Sequence, residues 1–214
     1  MLLDYQIEFI EFALLHNVLR FGSFTLKSGR HSPYFFNTGA FHGGTPLLQL
    51  GRFYAKTLQQ HAINFDLLFG PAYKGIPLAT ATSIALANLG LEKQVCFNRK
   101  EIKSHGEMGH LMGAPLHGDV VIIDDVITSG LAKKEAIELI HQTKARVAGI
   151  VIAFDRQEPG ENKQTAVSEL IAMYQIPVCS IIALDHLIFY LEQRTQYYAE
   201  CKNLKAYRDS FAFS

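Results

Sequence analysis

Asp124 and Asp125 stand side by side at the end of the apolar run Val120-Val121-Ile122-Ile123, and Val126-Ile127-Thr128-Ser129-Gly130 follows them. Paired carboxylates beside small hydroxyl residues and a glycine suit the binding of a sugar phosphate. The β-branched run reads as a strand buried on both faces, and residues 132–140 have helical spacing, so the turn between them opens a helix N-terminus. Free backbone N–H groups and the helix dipole attract a phosphate there. Acids facing that phosphate would repel it, so both are expected to accept hydrogen bonds from neighbouring ribose hydroxyls. The plainer reading is a strand-turn-helix capped by an acid. A cap needs only one, and a second buried carboxylate is costly unless it is paired.

Cations are placed to meet the rest of such a ligand. Lys74 lies in Gly70-Pro71-Ala72-Tyr73-Lys74-Gly75, where glycine and proline fix a tight turn after an apolar segment. Arg99, Lys100 and Lys103 follow a second apolar segment and Arg156 a third. Residues 100–118 mix Lys100, Lys103, His105, Glu107 and His110 with four glycines, show no strand or helix period, and read as a long mobile loop of the kind that serves as a lid. A cationic lid over a diphosphate would neutralise its charge and exclude water. A metal site built from His105, His110 and His117 is the weaker reading, because glycine-rich spacing supplies no rigid geometry and no acid or cysteine completes the set. Phe35 and Phe36 would point to opposite faces of a strand, so they cannot both stack on one ring. Core packing accounts for them as well as base binding does.

The acid pair with Val126-Ile127-Thr128-Ser129-Gly130 resembles the 5-phosphoribosyl-1-diphosphate (PRPP) motif of the type I phosphoribosyltransferases. Residues 24–30, 32–37, 68–77, 97–101 and 154–158 narrow the resemblance to the bacterial orotate phosphoribosyltransferases, from about residue 5 to the C-terminus. That resemblance implies transfer of the phosphoribosyl group of PRPP to orotate, giving orotidine 5′-monophosphate and pyrophosphate in pyrimidine (UMP) biosynthesis. It implies catalytic roles for Asp124, Asp125, Lys103 and His105. PRPP would be held by Lys27, Tyr73, Lys74, Arg99, Lys100, Lys103, His105 and the run Asp124, Asp125, Val126, Ile127, Thr128, Ser129, Gly130, Leu131 and Ala132. Orotate would be held by Lys27, Phe35, Phe36, Thr128 and Arg156, where Lys27 and Arg156 suit its carboxylate and ring oxygens. The resemblance also implies Mg²⁺, held mainly by PRPP and water rather than by a metal site of the protein, and a homodimer whose lid serves the neighbouring subunit's site. Two residues depart from the family pattern. Leu131 stands where threonine is common and is expected to weaken PRPP binding without abolishing function; Met108 stands where glycine is usual in the lid and is expected to stiffen it.

The elements that must position these residues alternate. Residues 4–19 place Ile7, Ile10, Leu14 and Val18 on one face of an amphipathic helix, with short strand-like pieces near 24–26 and 34–36. Thr45-Pro46 reads as an N-cap and first turn of a helix running to about Gln60, followed by strand 65–69, helix 77–88 and strand 95–97. After the acid-pair strand come helix 130–142, strand 146–154, helix 164–174 and strand 178–184. This is an α/β pattern with right-handed crossovers and a largely parallel sheet flanked by helices, whose ligands sit at the carboxyl ends of the strands. The family resemblance implies a five-stranded parallel core, a small hood drawn from about residues 1–40 and a lid at 100–118, all within one domain over residues 1–214.

With 214 residues, 49% of them hydrophobic, the chain can fill one α/β core with a small accessory element. Lys+Arg and Asp+Glu both number 20, so no global field draws nucleic acid, which argues against a PRPP-sensing regulator that binds DNA or RNA. Cys96, Cys179 and Cys201 are odd in number and widely spaced, which fits a reducing cytoplasm rather than a disulfide scaffold or zinc site. Asp4, Glu8 and Glu11 interrupt the apolar N-terminus, so neither a signal peptide nor a membrane association is expected. The Gly-x4-Gly-Lys-Ser/Thr pattern of P-loop phosphotransferases is absent. A purine-specific phosphoribosyltransferase would share the acid pair but not the set of Lys27, Phe35-Phe36 and Arg156.

Overall fold

The computed structural model describes residues 1–26, 29–103, 109–127, 130–160 and 164–211. Among these, α1 (Asp4–Leu15) precedes an antiparallel ribbon of β1 (Leu19–Thr25) and β2 (His31–Phe36). Then follow α2 (Gly44–Gln60), β3 (Leu67–Gly70), α3 (Gly75–Ala87), β4 (Gln94–Lys103), β5 (Gly109–Gly113) and β6 (Asp119–Val126). The chain continues through α4 (Leu131–His141), β7 (Arg146–Asp155), α5 (Ala166–Tyr174), β8 (Val178–Ala183), α6 (Leu184–Glu192) and α7 (Tyr198–Asp209). None of the helices among the described residues is long and apolar enough to cross a membrane.

The main sheet has the order β5-β4-β3-β6-β7-β8. β4, β3, β6, β7 and β8 are mutually parallel, the expected core of parallel strands, and β5 adds an antiparallel edge to β4. This edge corrects the reading of residues 100–118 as lacking strands. β4 runs on to Lys103, and β5 pairs with it through Phe97↔Met112 and Asn98↔Leu111. Backbone groups find partners along a sheet edge whatever the side-chain pattern, so glycines hid the strand without preventing it. Residues 104–108 lie outside the described residues.

β6 shows why a β-branched run makes a central strand. Val120, Val121, Ile122 and Ile123 are all fully buried, and the pleat sends them alternately to two cores. Val121 and Ile123 join a core built with α1, α2, α3 and α6; Val120 and Ile122 join one built with Ala136, Ile137 and Ile140 of α4 and Leu170 of α5. Each such side chain contributes about 1.5–3 kcal/mol on burial. The β6–β7 pairing contains a bulge: Val120 faces Val147 and Val121 faces Gly149, leaving Ala148 as an extra residue.

Two N-terminal boundaries differ from expectation. α1 stops at Leu15 because Asn17 adopts a left-handed conformation (φ 55°), and Val18 is buried outside the helix, whose inner face is Tyr5, Phe9, Ile10 and Ala13. α2 begins at Gly44 with the extended Gly43 as its N-cap, two residues ahead of the expected threonine cap. At the other end of the chain, α7 folds back against β2 of the ribbon, while α6 packs on α1 and β8. Tyr207 of α7 meets Tyr34 of β2 edge-on, with ring centroids 6.0 Å apart.

Candidate active site

The strand order reverses between β3 and β6. From β3 the chain crosses through α3 to β4 on one side, and from β6 through α4 to β7 on the other. Such a switch point opens a crevice at the carboxyl ends of its two strands. The turn 71–74 leaves β3 there, and the two acids stand at the end of β6.

The pleat separates the acids. Asp125 keeps the parity of Val121 and Ile123 and faces the α3 side, where it accepts from the Lys74 Nζ at the start of α3 at 2.6 Å. Asp124 keeps the parity of Val120 and Ile122 and faces the α4 side, where Lys133 in the first turn of α4 donates to its Oδ2. Lys133 also donates to the Val126 carbonyl at 2.8 Å. The remaining carboxylate oxygens accept from the next backbone amide along, Asp124 Oδ1 from the Asp125 N–H at 2.9 Å and Asp125 Oδ1 from the Val126 N–H at 2.8 Å. Beneath them the fully buried Tyr54 phenol donates to the Asp124 carbonyl at 2.7 Å. Both acids are buried, which is affordable only because each has a lysine. Burial raises the Asp124 carboxyl above the usual carboxylate range, and Lys133 opposes that shift.

Two helix N-termini flank this pair. Lys74 is the N-cap of α3 and Gly130 that of α4, and neither helix has a side-chain cap among the described residues, which leaves amides for an anion. Gly130 sits at φ +74°, a conformation that favours glycine. Gly75 permits the closest approach of α3 to β6: a Cβ there would lie 2.8 Å from the Ile123 carbonyl oxygen. The preceding turn is tied to β4 by the Ala72 N–H donating to Asn98 Oδ1 at 2.7 Å. Tyr73 is exposed, and the Lys100 ammonium lies 5.2 Å from its ring centre, so the two share the rim of the crevice. Arg99 lies beside Asn98 in β4, at the same end of the sheet. Among the described residues no group of three or more His, Cys, Asp and Glu side chains could hold a metal ion.

One strand further along the sheet, Arg156 follows β7. Its Nε donates to Glu158 Oε1 at 2.7 Å, one of its NH groups donates to Ser32 Oγ at 3.3 Å, and its guanidinium lies 4.4 Å from the Tyr34 ring centre. Glu158 also accepts from Arg30 at 3.0 Å and from the Tyr207 phenol at 2.6 Å. The ribbon, β7 and α7 therefore meet at one buried carboxylate. A cavity of about 630 Å³ between the ribbon and α7 is lined in part by Ser32 and Tyr207, so it adjoins this cluster rather than the acid pair. In β2, Phe36 packs into the core against Phe154 (5.1 Å), whereas Phe35 faces away and stacks near Phe24 (5.4 Å) and Arg20.

Among the residues expected at the site, Asp124, Asp125, Lys74 and Tyr73 come together, Val126, Ile127 and Gly130 continue the same turn, Lys100 reaches its rim, and Arg99 precedes Lys100 in β4. Arg156 lies in the neighbouring cluster with Glu158, Ser32 and Tyr34, whereas Phe36 packs into the core and Phe35 faces away from it. Lys103 ends β4, and Leu131 and Ala132 begin α4, as backbone only. Lys27, His105, Thr128 and Ser129 lie outside the described residues. Sequence reasoning missed Lys133, Glu158 and Tyr207. Lys133 was within reach, since strand alternation aims Asp124 at the face that α4 covers; Tyr207, almost fifty residues from its partner, gave no local signal.

The phosphoribosyl transferase domain family matches residues 38–178. The orotate phosphoribosyltransferase of Haemophilus influenzae (strain PittGG) is 52% identical over 209 residues, 97% of this chain and 98% of that protein. That of Actinobacillus succinogenes is 53% identical over the same shares of both chains. The crystal structure of orotate phosphoribosyltransferase from Francisella tularensis superposes with a TM-score of 0.85 at 38% identity, covering 95% of this chain and 98% of that one. An adenine phosphoribosyltransferase from Leishmania tarentolae, at 14% identity and a TM-score of 0.52, shares the fold. A switch-point crevice with two lysine-paired acids is thus found in a chain that belongs to the type I phosphoribosyltransferase family, among the bacterial orotate phosphoribosyltransferases.

Proposed function

We propose that the protein transfers the 5-phosphoribosyl group of PRPP to orotate, forming orotidine 5′-monophosphate and pyrophosphate, with the crevice between β3 and β6 as the ribosyl site and the Arg156 cluster beside the base. The observation that carries this reading is the acid pair with a separate lysine on each carboxylate, between two uncapped helix N-termini and one strand from a buried arginine. The bond from C1 of the ribose to pyrophosphate breaks, its electron pair leaves with pyrophosphate, and an orotate ring nitrogen takes its place on C1 as its proton passes to the departing pyrophosphate. The ribose passes through an oxocarbenium-like state, so the chain needs no nucleophile of its own.

Asp125 accepts from the ribose hydroxyls as Lys74 turns from it toward the pyrophosphate, and the amides at the start of α4 receive the 5-phosphate. Arg99, Lys100 and Tyr73 stand where the leaving group's charge develops. Lys103, at the end of β4, and His105, just after it, reach the site from a neighbouring subunit in a homodimer, while Lys27 and Thr128 join Arg156 and the Phe35-Phe36 backbone around orotate. Hard oxygen donors are present for Mg²⁺ in Asp124 and Asp125, but both are shared with lysines, so these acids would hold it only together with PRPP oxygens and water. Bound there, the ion would supply positive charge to the departing pyrophosphate.

The test is an assay of purified protein with PRPP, Mg²⁺ and a panel of bases. Orotate consumption with stoichiometric pyrophosphate release is expected; turnover of adenine or hypoxanthine in place of orotate would refute the assignment.

A further inference from the structure

Lys133 occupies an unusual position for a lysine. It lies in the first turn of α4, the end of a helix that disfavours a cation, and its side chain is only 6% exposed. Two acceptors hold it, Asp124 Oδ2 and the Val126 carbonyl, and both belong to the strand that carries the acids. The partner of the other acid is different: the Lys74 side chain is 51% exposed, with only Asp125 as its acceptor among the described hydrogen bonds. Lys74 can leave its acid for a ligand in solvent. Lys133 cannot leave without stranding a buried carboxylate.

From this asymmetry we infer that Lys133 is a positioning residue for PRPP binding: it keeps Asp124 charged and fixed in one orientation, while Asp125 is the acid that substrate releases from its lysine. The inference rests on the ribosyl-site reading above. With both oxygens engaged, by the Asp125 N–H and by Lys133, Asp124 is set before the ribose arrives. PRPP then disturbs one ion pair rather than two.

The test is steady-state kinetics on the full-length protein with PRPP and Mg²⁺, comparing wild type, Lys133→Met, Lys133→Arg, Asp124→Asn and the double variant Lys133→Met/Asp124→Asn. Lys133→Met should raise the KM for PRPP about tenfold, the worth of one charge-assisted hydrogen bond, and leave that for orotate within about twofold. Lys133→Arg, which keeps the cation, should recover most of the loss. In the Asp124→Asn background, Lys133→Met should cost nothing further, because the lysine acts through that acid. A wild-type PRPP KM in Lys133→Met would overturn the inference. So would losses that multiply in the double variant, since the lysine would then act on substrate directly. If Lys133→Met does not fold, the double variant, which removes both charges together, takes its place, and a wild-type PRPP KM there refutes the role. Wild-type PRPP kinetics in Asp124→Asn would instead refute the ribosyl-site reading itself.

Discussion

The Tyr207 phenol donates to Glu158 at 2.6 Å, and the same carboxylate oxygen accepts from Arg156, so the last helix of the chain is bonded to the group expected to meet orotate. Removing the hydroxyl in Tyr207→Phe leaves a buried carboxylate with one donor fewer, at a cost of about 1.5–3 kcal/mol. Orotate KM should rise while PRPP KM stays near wild type. Kinetics with each substrate varied in turn, beside urea melts, will show whether the loss falls on one substrate.

The same phenol gives a pH prediction. Burial, then the Glu158 hydrogen bond, push Tyr207 from 10.0 up to about 12. A group raised on folding contributes stability that is complete below its unfolded value and lost as pH rises through its folded value. Stability should therefore decline between pH 10 and about 12, with Tyr190, also pushed up to about 12, adding to the slope. Melts of Tyr207→Phe across that range should show a shallower decline; an unchanged slope would mean that Tyr207 does not carry it.

The two acids should respond unequally to the same substitution. Asp125→Asn leaves behind the half-exposed Lys74 and should cost less than about 1 kcal/mol of stability. Asp124→Asn strands the buried Lys133 and should cost about 3 kcal/mol or more. Turnover should fall in both. Equal melting points for the two variants would contradict the pairing by faces of β6.

Phe35 and Phe36 are separated in the same way. Phe36→Ala opens a hole against Phe154 and Phe9 and should cost about 3–5 kcal/mol. Phe35→Ala removes only the contact with Phe24 and Arg20 and should cost about 1 kcal/mol. Chemical denaturation of both variants checks the order.

A shared site is tested by mixing. Lys103→Ala and Asp125→Asn proteins, each nearly inactive alone, should regain activity at about a quarter of all sites after subunit exchange, because one site of each mixed dimer then collects both lesions and the other none. No recovery despite verified mixed dimers would place the lid's action within its own chain.

The sequence was most legible where one residue's type forces a local outcome. The run Val120-Val121-Ile122-Ile123 could only be a strand buried on both faces, and the glycine and acids after it marked the ligand end of the sheet. Strand pairing at Gly109–Gly113 was not legible, because it is held by backbone bonds to β4 rather than by a side-chain period. The Glu158 cluster was hidden for another reason. Arg30, Arg156 and Tyr207 come from three separate parts of the chain, and only the folded sheet brings their charges into one low-dielectric space.

The bulge at Ala148 acts as a phase shifter. Val147 and Ile150, three residues apart, share one core because β7 spends two residues against one of β6 at that point. Were Ala148 accommodated as an ordinary strand residue instead, the rest of β7 would run out of step by one residue, and every side chain from Gly149 onward would address the wrong side of the sheet or force the strand to slip. The guanidinium of Arg156 would be aimed by a miscount made eight residues earlier, far from any ligand.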